Sequence, residues 1–255
     1  MVKYRVNKRA KEIELKSKSN KEIFLIHGYT GSPTDFNNLP YLLNKKFKAN
    51  VKVILLKGHG TSVYDLHNYR SFEDYINQVE TEFVKDYKKG REIILGGYSF
   101  GGQLALYLAS KYKVKGVFSV SAPYPLSFFL TSKPLVLLAK IKKEWKKPLP
   151  KREIESRKKA FYYSYMPGHI LHIIRMGVKT LKKTLPDIKA PLLLINSKDD
   201  IWIPPRSIHL ISKKVGSRKK ELHVIEHKGH NLFYSSKQYE LYLKILNFIS
   251  EIYKE

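Results

Sequence analysis

Short apolar runs of β type alternate with helical patterns along almost all of this 255-residue chain, and that rhythm limits the fold more than any other feature. The runs lie at residues 23–27, 51–56, 92–96, 117–121, 191–196 and 222–226. Helical patterns occupy 35–46, 72–87, 101–112, 205–213 and 236–253. Such alternation predicts a mostly parallel central sheet with crossover helices on both faces. Two shorter runs, 2–6 and 12–16, predict an antiparallel edge pair. One α/β domain accommodates this length, and an apolar share of 43% supplies its core.

The run at 92–96 leads into Gly97-Tyr98-Ser99-Phe100-Gly101, and a helical pattern begins at once. Strand, tight turn and helix are the setting in which a G-x-S-x-G sequence holds a serine hydroxyl out from the backbone as a nucleophile. Glycines two residues either side let strand and helix approach closely. A serine nucleophile needs a base to take its proton and an acid to orient that base. In this architecture they follow in the order serine, acid, histidine. The acid candidates are Asp199 and Asp200, where Pro191-Leu192-Leu193-Leu194-Ile195 breaks into Asn196-Ser197-Lys198-Asp199-Asp200. The base candidate is His230, in Lys228-Gly229-His230-Asn231. Upstream, Phe24-Leu25-Ile26-His27-Gly28-Tyr29 runs from a strand into a glycine-bearing loop that can offer a second oxyanion-binding amide. All four segments fall at the carboxyl ends of predicted strands, where parallel sheets bind their ligands.

Charge is the other unusual property. Forty-eight Lys and Arg against 22 Asp and Glu give a net +26. Residues 131–185 hold 15 Lys and Arg and 3 Glu, a net +12. No nucleic-acid motif accompanies this charge, so specific nucleic-acid binding is not expected. A solvated basic surface is the plain reading, with a weak attraction to anionic lipid surfaces beside it. The chain has no cysteine, which excludes disulfides, thiolate catalysis and Cys-type zinc sites. Its most apolar stretch, 125–141, is interrupted by Lys133 and Lys140 and falls short of a membrane span. The first residues lack the apolar core of a secretory leader. A cytoplasmic protein is the expectation, and no motif calls for a cofactor or metal.

Residues from about 124 to 187 break the β/α rhythm with helical patterns at 135–146, 151–165 and 170–185. An insertion after the strand ending at Ser121 overhangs the carboxyl edge of the sheet. The expected organisation is therefore a core of residues 1–123 and 188–255 with a helical cap of 124–187. Its apolar residues, Phe128 and Met166 among them, are expected to hold the cap down and to line an acyl pocket.

At the level of motifs the chain resembles the α/β-hydrolases of the small carboxylesterase and monoacylglycerol-lipase group. The landmarks are His27-Gly28-Tyr29-Thr30-Gly31-Ser32-Pro33, Gly58-His59-Gly60, Gly97 to Gly102, Asp200-Ile201-Trp202-Ile203-Pro204-Pro205 and Gly229-His230. The resemblance implies an α/β-hydrolase fold and a serine ester hydrolase acting on a small-molecule ester or lipid-like substrate. It makes Ser99 the nucleophile, His230 the general base and then acid, and Asp200 the residue orienting the imidazole. Backbone amides of Tyr29 and Phe100 form the oxyanion hole. Asp199 stands as the alternative acid if the loop takes another register. Trp202, bulkier than the small aliphatic residue usual at its position, is expected to shape the acyl side. The same residues serve thioesterases, lysophospholipases and peptidases, and a basic binding module on a hydrolase scaffold is the non-enzymatic rival. His27 and His59 are expected to organise loops. His169 and His172 are expected to be packing or surface residues.

Overall fold

A computed structural model of the chain describes residues 5–124, 143–147, 154, 157–227 and 229–254. Seven strands form the central sheet: β1 (Ile13–Leu15), β2 (Lys21–Ile26), β3 (Asn50–Ile54), β4 (Glu92–Tyr98), β5 (Gly116–Val120), β8 (Leu192–Ser197) and β9 (Lys220–Ile225). Their spatial order is β1-β3-β2-β4-β5-β8-β9, with β1 antiparallel to β3 and every other pair parallel. Two further strands, β6 (Glu144–Lys146) and β7 (Tyr165–Pro167), form a separate antiparallel ribbon.

The runs in β2, β4, β5 and β8 are buried almost throughout because both faces of the sheet are covered there, whereas the edge strands β1 and β9 carry Glu14, Lys220 and Glu221 and are partly exposed. In β2, Phe24 and Ile26 point to one layer while Ile23 and Leu25 point to the other, and β8 divides likewise. The first layer comprises α2 (Phe72–Tyr87), α3 (Phe100–Lys111), α4 (Ile170–Thr184) and α5 (Arg206–Ser212). The second is built from α1 (Leu39–Phe47) and α6 (Gln238–Lys254). Fully burying one such side chain contributes about 1.5–3 kcal/mol, so the two layers together hold the sheet.

α2 begins where the sequence predicts because Ser71 and Asp74 close a capping box. The Ser71 hydroxyl accepts the Asp74 amide at 3.1 Å, and the Asp74 carboxylate accepts the Ser71 amide at 3.0 Å. Three expectations need correction. The helix expected over 35–46 is split into a 3-10 turn, Pro33–Phe36, and α1. Asn37 between them is left-handed, with φ 50°, and Pro40 belongs to a first helical turn. The expected edge pair is one strand, β1, laid against β3; Arg5 and Val6 are not strand, and residues 1–4 lie outside the described part.

The third concerns the segment expected to be a helical cap. Residues 144–146, placed in a helical pattern, are strand β6, and Tyr165 opens β7. Pairing explains this, with Glu144, Trp145 and Lys146 opposite Pro167, Met166 and Tyr165, and Met166, the residue before Pro167, is pushed toward extended backbone. The helix expected at 170–185 is α4, and it packs straight onto the core. A Cβ on Gly177 would stand 2.7 Å from Gln103 Oε1 and 2.9 Å from the Phe72 ring.

Candidate active site

Four of the strand ends meet at the carboxyl edge of the sheet. β4 ends at Tyr98 and α3 starts at Phe100, leaving Ser99 alone in the turn with φ 53° and ψ −119°. That turn closes only on glycine. A Cβ on Gly97 would lie 2.2 Å from the Gly101 carbonyl oxygen, and one on Gly101 would lie 2.0 Å from that of Ile26. The Ser99 amide donates to the Val120 carbonyl at 2.8 Å, and its carbonyl accepts from Gly102 at 2.8 Å. The hydroxyl is left as the free end of a fixed unit.

His230 stands in the loop between β9 and the 3-10 turn Leu232–Tyr234. Its Nε2 is 2.9 Å from the Ser99 Oγ, and its Nδ1 is 2.6 Å from Asp200 Oδ2. A carboxylate only accepts, so Nδ1 carries the proton and donates it, while Nε2 is left to accept from the serine hydroxyl. Asp200, in the loop after β8, has a fully buried side chain. Its other oxygen accepts the amides of Trp202 at 2.9 Å and Ile203 at 3.0 Å. Three donors thus hold the charge that burial would otherwise penalise. Asp199 is exposed, and its amide donates to the His227 carbonyl at 3.2 Å. Of the two neighbours, Asp200 is the one that reaches the imidazole.

Tyr29 follows β2 in the loop beside this group, and Phe100 is the first residue of α3, where an N–H has no acceptor within the helix. Ser99, His230 and Tyr29 line one pocket. Its apolar wall is formed by Pro123, Met166, Ile170, Leu171, Ile174, Trp202 and Ile203, and its polar part by Thr30, Asp35 and Lys147. Trp202 and Met166, expected near an acyl pocket, both line this one. Phe128 lies outside the described residues. Asp35 and Lys147 were missed, as was the pocket-facing side of α4. Asp35 is buried, and its carboxylate accepts the Gly28 amide at 3.1 Å, bracing the loop that carries Tyr29. The signal for it was an acid at the start of an apolar helical pattern, close behind the glycine loop. Nothing local marked Lys147.

His27 and His59 organise loops, as expected. His27 Nε2 accepts the Leu56 amide at 3.0 Å and Nδ1 donates to the Gly28 carbonyl at 2.8 Å. His59 Nε2 accepts the Thr30 amide at 3.0 Å, and Nδ1 donates to the Lys57 carbonyl at 2.9 Å. Burial holds the His27 imidazole well below its usual range and brings that of His59 down to about 4. His169 is brought down to about 4 by burial and by the neighbouring His67, whose ring centre is 5.3 Å away. No three metal-ligating side chains gather among the described residues.

Acid stability follows from the two buried rings. In the unfolded chain both imidazoles titrate near pH 6.5, whereas the folded protein keeps them neutral to lower pH. Their contribution is complete above about pH 6.5 and is lost as pH falls below it, for His59 down to about pH 4, at up to about 1.4 kcal/mol per pH unit for each. The thermal midpoint should fall between pH 7 and pH 5, with a shallower fall in His59→Gln. Equal slopes for the two proteins would contradict this.

Comparison with known proteins bears on the family and the fold. A family model described as "Serine aminopeptidase, S33" matches residues 17–237. A thermostable monoacylglycerol lipase of Bacillus sp. strain H-257 is 27% identical over 208 residues, covering 78% of each chain. A carboxylesterase of Bacillus subtilis strain 168 is 24% identical over 213 residues, covering 83% of this chain and 85% of that one. Among solved structures, one from the metagenome-derived lipolytic enzymes LipS and LipT superposes with a TM-score of 0.82 at 23% identity, covering 97% of this chain and 100% of that one. The monoacylglycerol lipase of Paleococcus ferrophilus does so with 0.77 at 18% identity, covering 94% and 98%.

Proposed function

The chain belongs to the serine aminopeptidase S33 family and is an α/β-hydrolase of lipase and esterase type, and from that premise we propose that it hydrolyses carboxylic esters of medium acyl chain through an acyl-enzyme on Ser99. The observation that carries the reading is the relay Ser99 Oγ, His230 Nε2, His230 Nδ1, Asp200 Oδ2, with steps of 2.9 and 2.6 Å, opening onto a pocket with a continuous apolar wall.

In this account Ser99 Oγ attacks the ester carbonyl as its proton passes to His230 Nε2. The Asp200 carboxylate steadies the imidazolium that forms. The carbonyl oxygen becomes an oxyanion held by the amides of Tyr29 and Phe100, each donor worth about 3–4 kcal/mol of barrier. When the intermediate collapses, His230 returns the proton to the departing alcohol. A water molecule, deprotonated by the same nitrogen, then releases the acyl group and restores the serine. Residues 124–187 serve as a cap on the core of 1–123 and 188–255, and α4 turns Ile170, Leu171 and Ile174 toward the acyl chain.

Trp202 sets the length of that chain in this reading, since it packs with Leu171, Ile174 and Ile203 in the apolar wall. Each methylene buried contributes about 0.8 kcal/mol until the pocket is full, so kcat/KM should rise about fourfold per carbon and then fall. Trp202→Val should move the optimum to longer or bulkier acyl groups. An unchanged length profile would make Trp202 a packing residue instead.

The family description names an aminopeptidase, whereas the two Bacillus relatives are named for ester hydrolysis. A panel of esters of graded acyl length, run beside the matching thioesters and amides, tests the choice. Medium-chain esters should be the best substrates by kcat/KM. Faster turnover of aminoacyl amides or of thioesters would replace the ester reading with one of those.

A further inference from the structure

Thr30, the residue after Tyr29, is buried and has φ 65°, left-handed backbone that a β-branched residue enters only when its surroundings force it. Three segments far apart in sequence supply the force. The Thr30 amide donates to His59 Nε2 at 3.0 Å, its carbonyl accepts the Tyr163 amide at 2.8 Å, and its hydroxyl accepts from Lys147 Nζ at 2.8 Å. That hydroxyl in turn donates to the Tyr29 carbonyl at 2.6 Å. The His59 and Tyr163 rings stack, 6.3 Å between centres. The Tyr163 hydroxyl accepts the Thr61 amide at 2.8 Å and donates to the Gly58 carbonyl at 3.0 Å, clamping the turn that carries His59.

We propose that His59 is a positioning residue for the reaction. By accepting the Thr30 amide it fixes the left-handed turn that aims the preceding Tyr29 N–H at the reacting oxygen, and Tyr163 ties the same turn to the cap. The role needs a lone pair on Nε2, so it needs a neutral ring with its proton on Nδ1, the form that the Lys57 carbonyl selects. Burial, together with the positive charge of Lys147 nearby, keeps the ring in that form, with His27, Tyr29, Tyr75 and Tyr163 packed around it. This rests on the ester-hydrolase reading and on Tyr29 as an oxyanion donor. It adds that the hole is assembled from outside, by the Gly58-His59-Gly60 turn and the cap together.

The test compares His59→Asn with His59→Gln. Asparagine can keep the bond to Lys57 but has no acceptor where Nε2 stood, while glutamine places its Oε1 there. Two probes separate transition state from ground state. A trifluoromethyl ketone adds the Ser99 oxygen to its carbonyl carbon, passes the hydroxyl proton to His230 and puts its own oxygen in the hole. The ether analogue of the ester fills the pocket without reacting. His59→Asn should lower kcat about 10²-fold with KM within about threefold, the scale of a catalytic group displaced by an ångström or a donor lost. Its affinity for the ketone should fall by a similar factor and its affinity for the ether should hold. His59→Gln should recover to within about tenfold of wild type. Equal losses in both variants, or ketone and ether weakening together, would overturn the proposal. If His59→Asn does not fold, Tyr163→Phe is expected to show the same split at about tenfold, and a variant with wild-type kinetics would overturn it. Wild-type protein inert to ester and ketone alike would sink the ester reading and this proposal with it, whereas failure of the variants in an active enzyme sinks this proposal alone.

Discussion

Ser99→Ala should fold as the wild type does and hydrolyse esters about 10⁴–10⁶-fold more slowly. The chemical loss is large because nucleophile and base act as one unit, so removing either forfeits almost all of what they give together. The structural loss is small. Alanine at φ 53° carries the same backbone strain as serine, and the deleted hydroxyl leaves only the 2.9 Å bond to His230 unmade. Its partner is partly exposed, so water replaces it at a cost of about 1 kcal/mol. The thermal midpoint should therefore stay within a few degrees while kcat collapses. Retention of more than about a tenth of wild-type kcat in a folded variant would remove Ser99 from the mechanism.

Asp200→Asn should cost about 10⁴-fold in kcat, and Asp199→Asn almost nothing. The Trp202 and Ile203 amides both point at one oxygen of residue 200. Asparagine must leave its carbonyl oxygen there, which turns its NH₂ group toward His230 Nδ1. Two donors cannot share that contact, so the imidazole moves its proton to Nε2 and can no longer take one from Ser99. Asp199, exposed and joined to the neighbouring loop through its backbone, has no such consequence. Parallel kcat measurements on the two variants, with thermal melts to check folding, decide the matter. Equal losses, or the reverse order, would show that the imidazole takes its carboxylate from elsewhere in solution.

Much of this was legible in the sequence, for a local reason. The sheet could be read because β2, β4, β5 and β8 are buried on both faces and so appear as unbroken apolar runs. α2 matched its expected bounds because Ser71 and Asp74 mark its start in the sequence itself. Ser99, Asp200 and His230 could be named because each sits in a short motif at a strand end. What could not be read depends on contacts between distant residues. The helical pattern read over 135–146 placed Trp145 in a helix, while pairing with residues about twenty positions later makes it a strand. Lys147 joins the pocket only because the chain returns beside Thr30, and Ile170, Leu171 and Ile174 could be placed in a helix but not aimed. His59 was read as a loop organiser, yet which loop it holds is a fact of the fold.

The most direct test of the account is covalent labelling of the wild-type protein with a fluorophosphonate, followed by intact-mass and peptide-mass analysis alongside residual esterase activity. One phosphonyl group per chain should appear, on the peptide containing Ser99. Activity should fall in step with labelling, and Ser99→Ala should take up none. A label on any other residue, or a chain that stays unlabelled while it hydrolyses esters, would contradict the assignment of Ser99 as the nucleophile.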